Sequence, residues 1–379
     1  MSRIKVLFFI ESLAGGGAEK VLATLVKNID KRRFDVTVCV VSGDGVYEKE
    51  IRRCCEYKSL LEKPTSFVSK MVYYIRHHLI YKWLPMWLVY KLFMPKDFDV
   101  EIAFTEGFAT RLLSASLQRN KVAWVHTDLK NNHWTKSVYK NLEQEKKVYS
   151  RFAKVVCVSD TAKEGFLHEF KGISVPVVTR YNPIDASLIR AKAQMRCGDA
   201  HDGVLLVTAG RLEAQKGYDR LLHIMKHLVG EKYKVRLWIL GTGTQERALR
   251  SYVEENGLHD VVEFLGFCSN PYEYVAQGDL FVCSSRAEGY STAVTEALIL
   301  GVPIITTECS GMRELLRDGE CGVITDNDES SLYQGLKMLL DDKNALAHYR
   351  SMAEKRGESF SMENLMEPIE ELVESVSKQ

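Results

Sequence analysis

Ile4-Lys5-Val6-Leu7-Phe8-Phe9-Ile10, then Glu11-Ser12-Leu13-Ala14, then Gly15-Gly16-Gly17-Ala18-Glu19, is the stretch on which the fold turns. The apolar run has the length of a strand and is far too short to span a bilayer. Nearly every side chain in it is apolar, so both faces must be covered, as in a parallel sheet packed between helices. A basic start before an apolar run also resembles a secretory leader. Here the run stops at Glu11 and no small-residue cleavage site follows, so a buried parallel strand is expected. The pattern from Ala18 to Ile29 predicts a helix. Glycines between strand and helix let the backbone approach a ligand, and the free N–H groups of a helix start suit a phosphate. A plain tight turn would look the same, and Gly15-Gly16-Gly17 is not the Gly-x-Gly-x-x-Gly of dinucleotide enzymes.

The same alternation continues outward. Phe34–Ser42, Val100–Thr105, Lys121–His126 and Lys154–Ser159 read as strands with helical patterns between them. Turn chemistry interrupts at Tyr181-Asn182-Pro183-Ile184-Asp185, and Arg196–Gly203 is polar and loose. A second series follows, with strands expected at Val204–Ala209, Val235–Leu240, Val261–Leu265, Leu280–Ser284 and Pro303–Thr306. The expectation is an α/β chain of two Rossmann-like domains, residues 1–190 and 200–360. A last helix within 361–379 is expected to cross back to the first domain.

The chain has 379 residues, enough for two cores. Its net charge of +1 disfavours general nucleic-acid binding. Nine cysteines form no Cys-x-x-Cys pair, and two of them sit in apolar strands, so all are expected reduced and the protein cytoplasmic.

Two further loops carry chemistry. Gly210-Arg211-Leu212-Glu213-Ala214-Gln215-Lys216-Gly217 follows a strand, and its Arg and Lys can reach one diphosphate, although surface loops are rich in both residues. Glu288-Gly289-Tyr290-Ser291-Thr292-Ala293-Val294-Thr295-Glu296 runs from a loop into a helix. Its backbone N–H groups would sit at a helix start, and its two carboxylates can accept hydrogen bonds from ribose and sugar hydroxyls. A glycosidase acid–base pair is the rival reading, and Glu296 as mere helix decoration is the plain one.

Together these loops resemble the GT-B glycosyltransferases, in particular the large retaining family 4. The resemblance rests on Glu288 and Glu296 with seven residues between them, on Gly210-Arg211 with Lys216-Gly217, and on Gly15–Glu19. Asn182-Pro183-Ile184-Asp185 and Phe264-Leu265-Gly266-Phe267 add to it. It implies two domains facing across a cleft and sugar transfer from a nucleotide sugar, with UDP preferred. It also implies a saccharide acceptor, lipid-linked as in bacterial surface-polysaccharide assembly. By resemblance, Arg211 and Lys216 bind the diphosphate, Glu296 holds the ribose, and Glu288 contacts the sugar. Gly289, Tyr290, Ser291 and Thr292 orient sugar and phosphate, with Gly16, Gly17 and Gly210 counted among the donor contacts. Phe267 frames the base, and His126 lies near the sugar. Because the cationic loop can neutralise the diphosphate, no cofactor and no metal are expected. A nucleotide-sugar epimerase of the same architecture and an inactive partner subunit remain as alternatives.

Between Lys63 and Lys96 there are six Lys or Arg residues, many aromatics and no acid. That texture suits an anionic membrane surface, although a helical subdomain with its aromatics packed inward would share it. Lys82 and Lys91 are expected to point in opposite directions. Asp97-Phe98-Asp99 and the His223/His227 pair are metal-like only in spacing, and a solvated face explains the histidines.

Overall fold

The Ile4–Ile10 strand lies in the middle of a parallel sheet, with Val6 through Ile10 shut off from solvent. A computed structural model describes residues 3–43, 45–194 and 203–378. The chain divides into two units, Met1–Ile184 with Glu363–Gln379, and Asp185–Met362. The helix Ala186–Ala193 therefore groups with the second unit, whereas the sequence pattern extends the first domain to 190. Asp185 caps that helix, its carboxylate accepting the Leu188 N–H at 2.9 Å, so the turn at Asn182–Asp185 also starts an element. Most of the loose segment expected at Arg196–Gly203 lies outside the described residues.

In the first unit the strands are β1 Ile4–Ile10, β2 Phe34–Ser42, β3 Glu56–Leu61, β4 Val100–Ala103, β5 Lys121–Val125, β6 Lys154–Cys157 and β7 Val177–Thr179. They pair in the order β3-β2-β1-β4-β5-β6-β7, all parallel. The helix Gly17–Asn28 buries Val21, Leu22, Leu25 and Val26, one stripe at helical spacing, and so covers part of the sheet.

The second unit has β8 Val204–Ala209, β9 Val235–Leu240, β10 Val262–Gly266, β11 Leu280–Cys283, β12 Ile304–Thr307 and β13 Val323–Thr325. Their order is β10-β9-β8-β11-β12-β13, again all parallel. Three strands, β3, β7 and β13, were not expected from the sequence. All three are sheet edges, and none carries the continuous buried run that marks a central strand.

The helix Met362–Ser377 packs on the first unit by an apolar stripe that includes Ile369, Leu372, Val373 and Val376. Its polar side is tied down as well. Arg33 meets Glu370 at 2.6 Å and Glu374 at 2.7 Å, and Glu370 accepts the Asp30 N–H at 2.9 Å.

Candidate active site

In each unit the sheet order reverses at one place, where the loops leaving two adjacent strands diverge and open a crevice. In the second unit this is between β8 and β11. The loop after β8 carries Gly210, Arg211 and Lys216, and the loop after β11 carries Glu288. Strand order thus brings together the two motifs that the sequence holds far apart.

Lys216 Nζ lies 2.6 Å from Glu288 Oε1, and Ser285 Oγ donates to the same oxygen at 2.5 Å. Glu288 is buried, with only 7% of its surface exposed. Burial, the strongest influence on Lys216, pulls its pKa down. Glu288 and the other groups around it reverse this, so the ammonium is held above its ordinary range. Lys216, Ser285, Glu288 and Ser291 line one small enclosed space with Thr208 and Tyr218. Arg211 stands exposed on the same loop.

The helix Thr292–Ile299 begins at this space. Ser291 is its cap, its hydroxyl accepting from the Val294 N–H. Ser291 and Ala293, at that helix start, line the same space, and a helix start favours negative charge. Glu296 is buried in the second turn of the helix. The Tyr290 ring packs against the core cluster that holds Met312, and burial pushes its hydroxyl pKa up. Phe267 follows β10 and is 57% exposed.

Close backbone contacts fix the loops. Gly217 has φ +65°, and a Cβ there would come within 2.1 Å of the Ser284 carbonyl oxygen. A Cβ on Gly241, the first residue after β9, would lie 1.9 Å from the Gly210 carbonyl oxygen. Thr244 ties the two loops by donating to Glu213 at 2.6 Å. Below them Arg220 is buried, and it donates to the carbonyls of Ser284 at 2.8 Å and Ser285 at 2.6 Å. Thr307 donates to the Ser285 carbonyl too, at 2.6 Å. These bonds hold the backbone from which Glu288 projects. Sequence reasoning missed Arg220, Thr307 and the Gly241 loop. The available signals were an arginine inside the apolar stripe of the Tyr218–Gly230 helix and a glycine pair directly after a strand.

Gly16, Gly17 and His126 belong to the first unit, whose reversal lies between β1 and β4. Gly16 caps the Gly17–Asn28 helix with extended backbone. The carboxylate of Glu19 lies over it, 2.3 Å from where a Cβ would be, so this helix start already has an anion of its own. His126 follows β5. Its backbone N–H donates to Glu106 at 2.9 Å, its side chain bonds the Phe104 backbone, and its Nε2 is buried without a partner. Burial lowers its pKa more than Glu106 raises it, which keeps the ring neutral. Glu106, also missed in the sequence, gathers the Thr127 hydroxyl at 2.5 Å and the Trp134 indole N–H at 3.1 Å. Trp134 remains 42% exposed.

Among the described residues no group of His, Cys, Asp or Glu is placed to hold a metal. Asp99 instead accepts the Lys5 N–H at 2.8 Å, and His223 pairs with Glu329 at 3.0 Å. The eight described cysteines are free thiols, and Cys197 lies outside the described residues. No helix among the described residues is long and apolar enough to cross a membrane.

Two family models match the chain. The one described as Glycosyltransferase Family 4 covers residues 15–188, and Glycosyl transferases group 1 covers residues 195–356. A curated relative from Campylobacter jejuni is N-acetylgalactosamine-N,N'-diacetylbacillosaminyl-diphospho-undecaprenol 4-alpha-N-acetylgalactosaminyltransferase. It is 28% identical over 94% of this chain and 95% of its own length. Among solved structures, Anabaena Alr3699/HepE in complex with UDP-glucose superposes with a TM-score of 0.77 at 20% identity, covering 100% of both chains. The apo form of the lipopolysaccharide outer core galactosyltransferase WaaB gives 0.66 at 16%, covering 98% of this chain and 99% of its own. At such identities these structures speak to the fold alone.

Proposed function

We propose that this chain, which belongs to the GT-B glycosyltransferases of family 4 type, moves a sugar from a UDP-sugar to a saccharide hydroxyl with retention of configuration. The observation that carries the donor half is Lys216 held charged beside Glu288, at the start of the Thr292–Ile299 helix, with Arg211 exposed on the same loop. A charged ammonium, a guanidinium and helix-start amides on adjoining loops suit a diphosphate.

In the proposed reaction the bond between the sugar's anomeric carbon and the diphosphate oxygen breaks, and its electron pair leaves with the diphosphate. Arg211, Lys216 and the first-turn amides stabilise the charge that grows there. The acceptor hydroxyl attacks from the face the diphosphate leaves. Its oxygen bonds the carbon, and its proton passes to a phosphate oxygen, so no side-chain base is needed. Glu288 and Glu296 accept hydrogen bonds from sugar and ribose hydroxyls. The cationic loop makes a metal unnecessary.

UDP is favoured because Anabaena HepE was solved with UDP and with UDP-glucose. The C. jejuni relative is named for an undecaprenol-diphosphate-linked acceptor, which supports a lipid-borne saccharide here and work at the cytoplasmic face of a membrane. Surface polysaccharide or glycoconjugate synthesis is the setting such an acceptor implies.

A thermal-shift panel of nucleotide sugars tests the donor. A ligand at a hundred times its Kd stabilises by about 2.7 kcal/mol. UDP-sugars should shift the melt, and GDP- and ADP-sugars should not. Product analysis without acceptor decides the reaction class, because an epimerised nucleotide sugar would sink the transferase reading.

A further inference from the structure

The helix Phe67–His78 buries none of its residues. Its amphipathic pattern is turned outward. Phe67, Val68, Met71, Val72 and Ile75 form one apolar stripe at helical spacing and all face solvent, Phe67 with 84% of its surface. Tyr73, on the opposite side, packs toward the core and meets the Ser42 hydroxyl at 3.4 Å. Helices of a globular domain ordinarily bury the apolar stripe.

The pattern continues through the π-turn Leu79–Trp83 and the helix Met86–Phe93. Their inner sides are anchored. Tyr81 donates to Glu11 at 3.2 Å, and Tyr90 donates to the buried Glu101. Trp83 and Trp87 point outward, each 59% exposed. The aromatics of this stretch are thus divided between core and solvent. All six of its basic residues are exposed, Lys82 and Lys91 among them.

We infer that this outward surface docks on an anionic lipid bilayer, with the apolar stripe in the headgroup zone and the lysines against lipid phosphates. It rests on the proposed lipid-borne acceptor for its purpose. The physical case lies in the surface itself. A stretch with six exposed cations and no acid disfavours pairing with a second copy of itself, whereas an anionic interface accepts both its charge and its apolar side chains. The Tyr81–Glu11 bond links this surface to the chain leaving β1, just before the glycine loop.

The test is flotation of the full chain with vesicles of phosphatidylcholine alone, or mixed with phosphatidylglycerol. Binding to the mixed vesicles is expected, weakened by high salt. A basic residue near such a surface is worth roughly a fivefold change in partition, so Lys82→Glu with Lys91→Glu should cost at least about 25-fold. Met71→Ser with Val72→Ser should also weaken binding and leave the melting temperature unchanged. Leu117→Ser, 98% exposed elsewhere on the same unit, should do nothing. Equal binding to both vesicle types, or none, overturns the inference. So does a dimer in light scattering that the Met71/Val72 variant disperses, or a variant that unfolds. Flotation uses neither donor nor acceptor. Its failure leaves sugar transfer standing, and bound protein that transfers nothing condemns the transferase reading instead.

Discussion

Lys216 and Glu288, 72 residues apart in the chain, meet at 2.6 Å where the β8 and β11 loops diverge. Each is the other's partner in a largely buried setting, with 24% and 9% of their side-chain surfaces exposed. The lysine therefore has two tasks, holding the loops together and presenting a cation.

Those tasks separate by mutation. Lys216→Ala should lower turnover by about a hundredfold or more, as for other donors to a leaving group. It should also destabilise by roughly 3 kcal/mol, the low end for a broken buried pair, because Ser285 still bonds the abandoned carboxylate. Arg211→Ala should match the loss of turnover without the loss of stability, since Arg211 is exposed. Near-normal rates in both variants would remove the leaving-group role.

Activity should survive EDTA, because in the proposed reaction Arg211, Lys216 and the amides of the helix start at Thr292 are what neutralises the diphosphate. A steady-state assay with and without chelator decides it. Complete loss, restored by manganese or magnesium, counts against the mechanism.

Gly217→Ala should cost at least about 1–3 kcal/mol, because alanine resists φ +65° and its Cβ would strike the Ser284 carbonyl. Gly230→Ala is the control, since a Cβ there meets nothing within 4 Å. Equal denaturation midpoints for the two variants would show that the loop contact is slack.

His126 should make stability depend on pH. Burial lowers its pKa in the folded chain, while the unfolded chain takes up the proton near the ordinary 6.5. Below that pH the unfolded state binds more protons, so stability falls as pH falls. His126→Gln should lose less between pH 7.5 and 5.5 than the native chain, by up to about 1.4 kcal/mol, the limit across this window for a ring that stays neutral in the folded chain. Parallel melting curves would show that His126 titrates as it does in the unfolded chain.

Much of the architecture is legible in the order of residues. The run at Ile4–Ile10 and its counterparts announce parallel strands, because a strand covered on both faces must be apolar on both. The Gly210–Gly217 and Glu288–Glu296 motifs resemble those of family 4, and both fall in loops or at helix starts. Strands β3, β7 and β13 escape because an edge strand needs no continuous apolar run. The basic stretch is ambiguous for another reason. Residue types reveal that a helix is amphipathic, but not which side the rest of the chain will cover.

Sequence alone determined the α/β alternation, the positions of the chemical loops and the residue types they carry, because each depends on neighbours within a few positions. Tertiary structure decided which loops meet. It set β8 beside β11 and so paired Lys216 with Glu288, placed Arg220 under the Ser284 and Ser285 carbonyls, and left the Phe67–Ile75 stripe in solvent. Those outcomes follow from strand order and packing, and contacts between residues many tens of positions apart leave no periodicity in the chain that makes them.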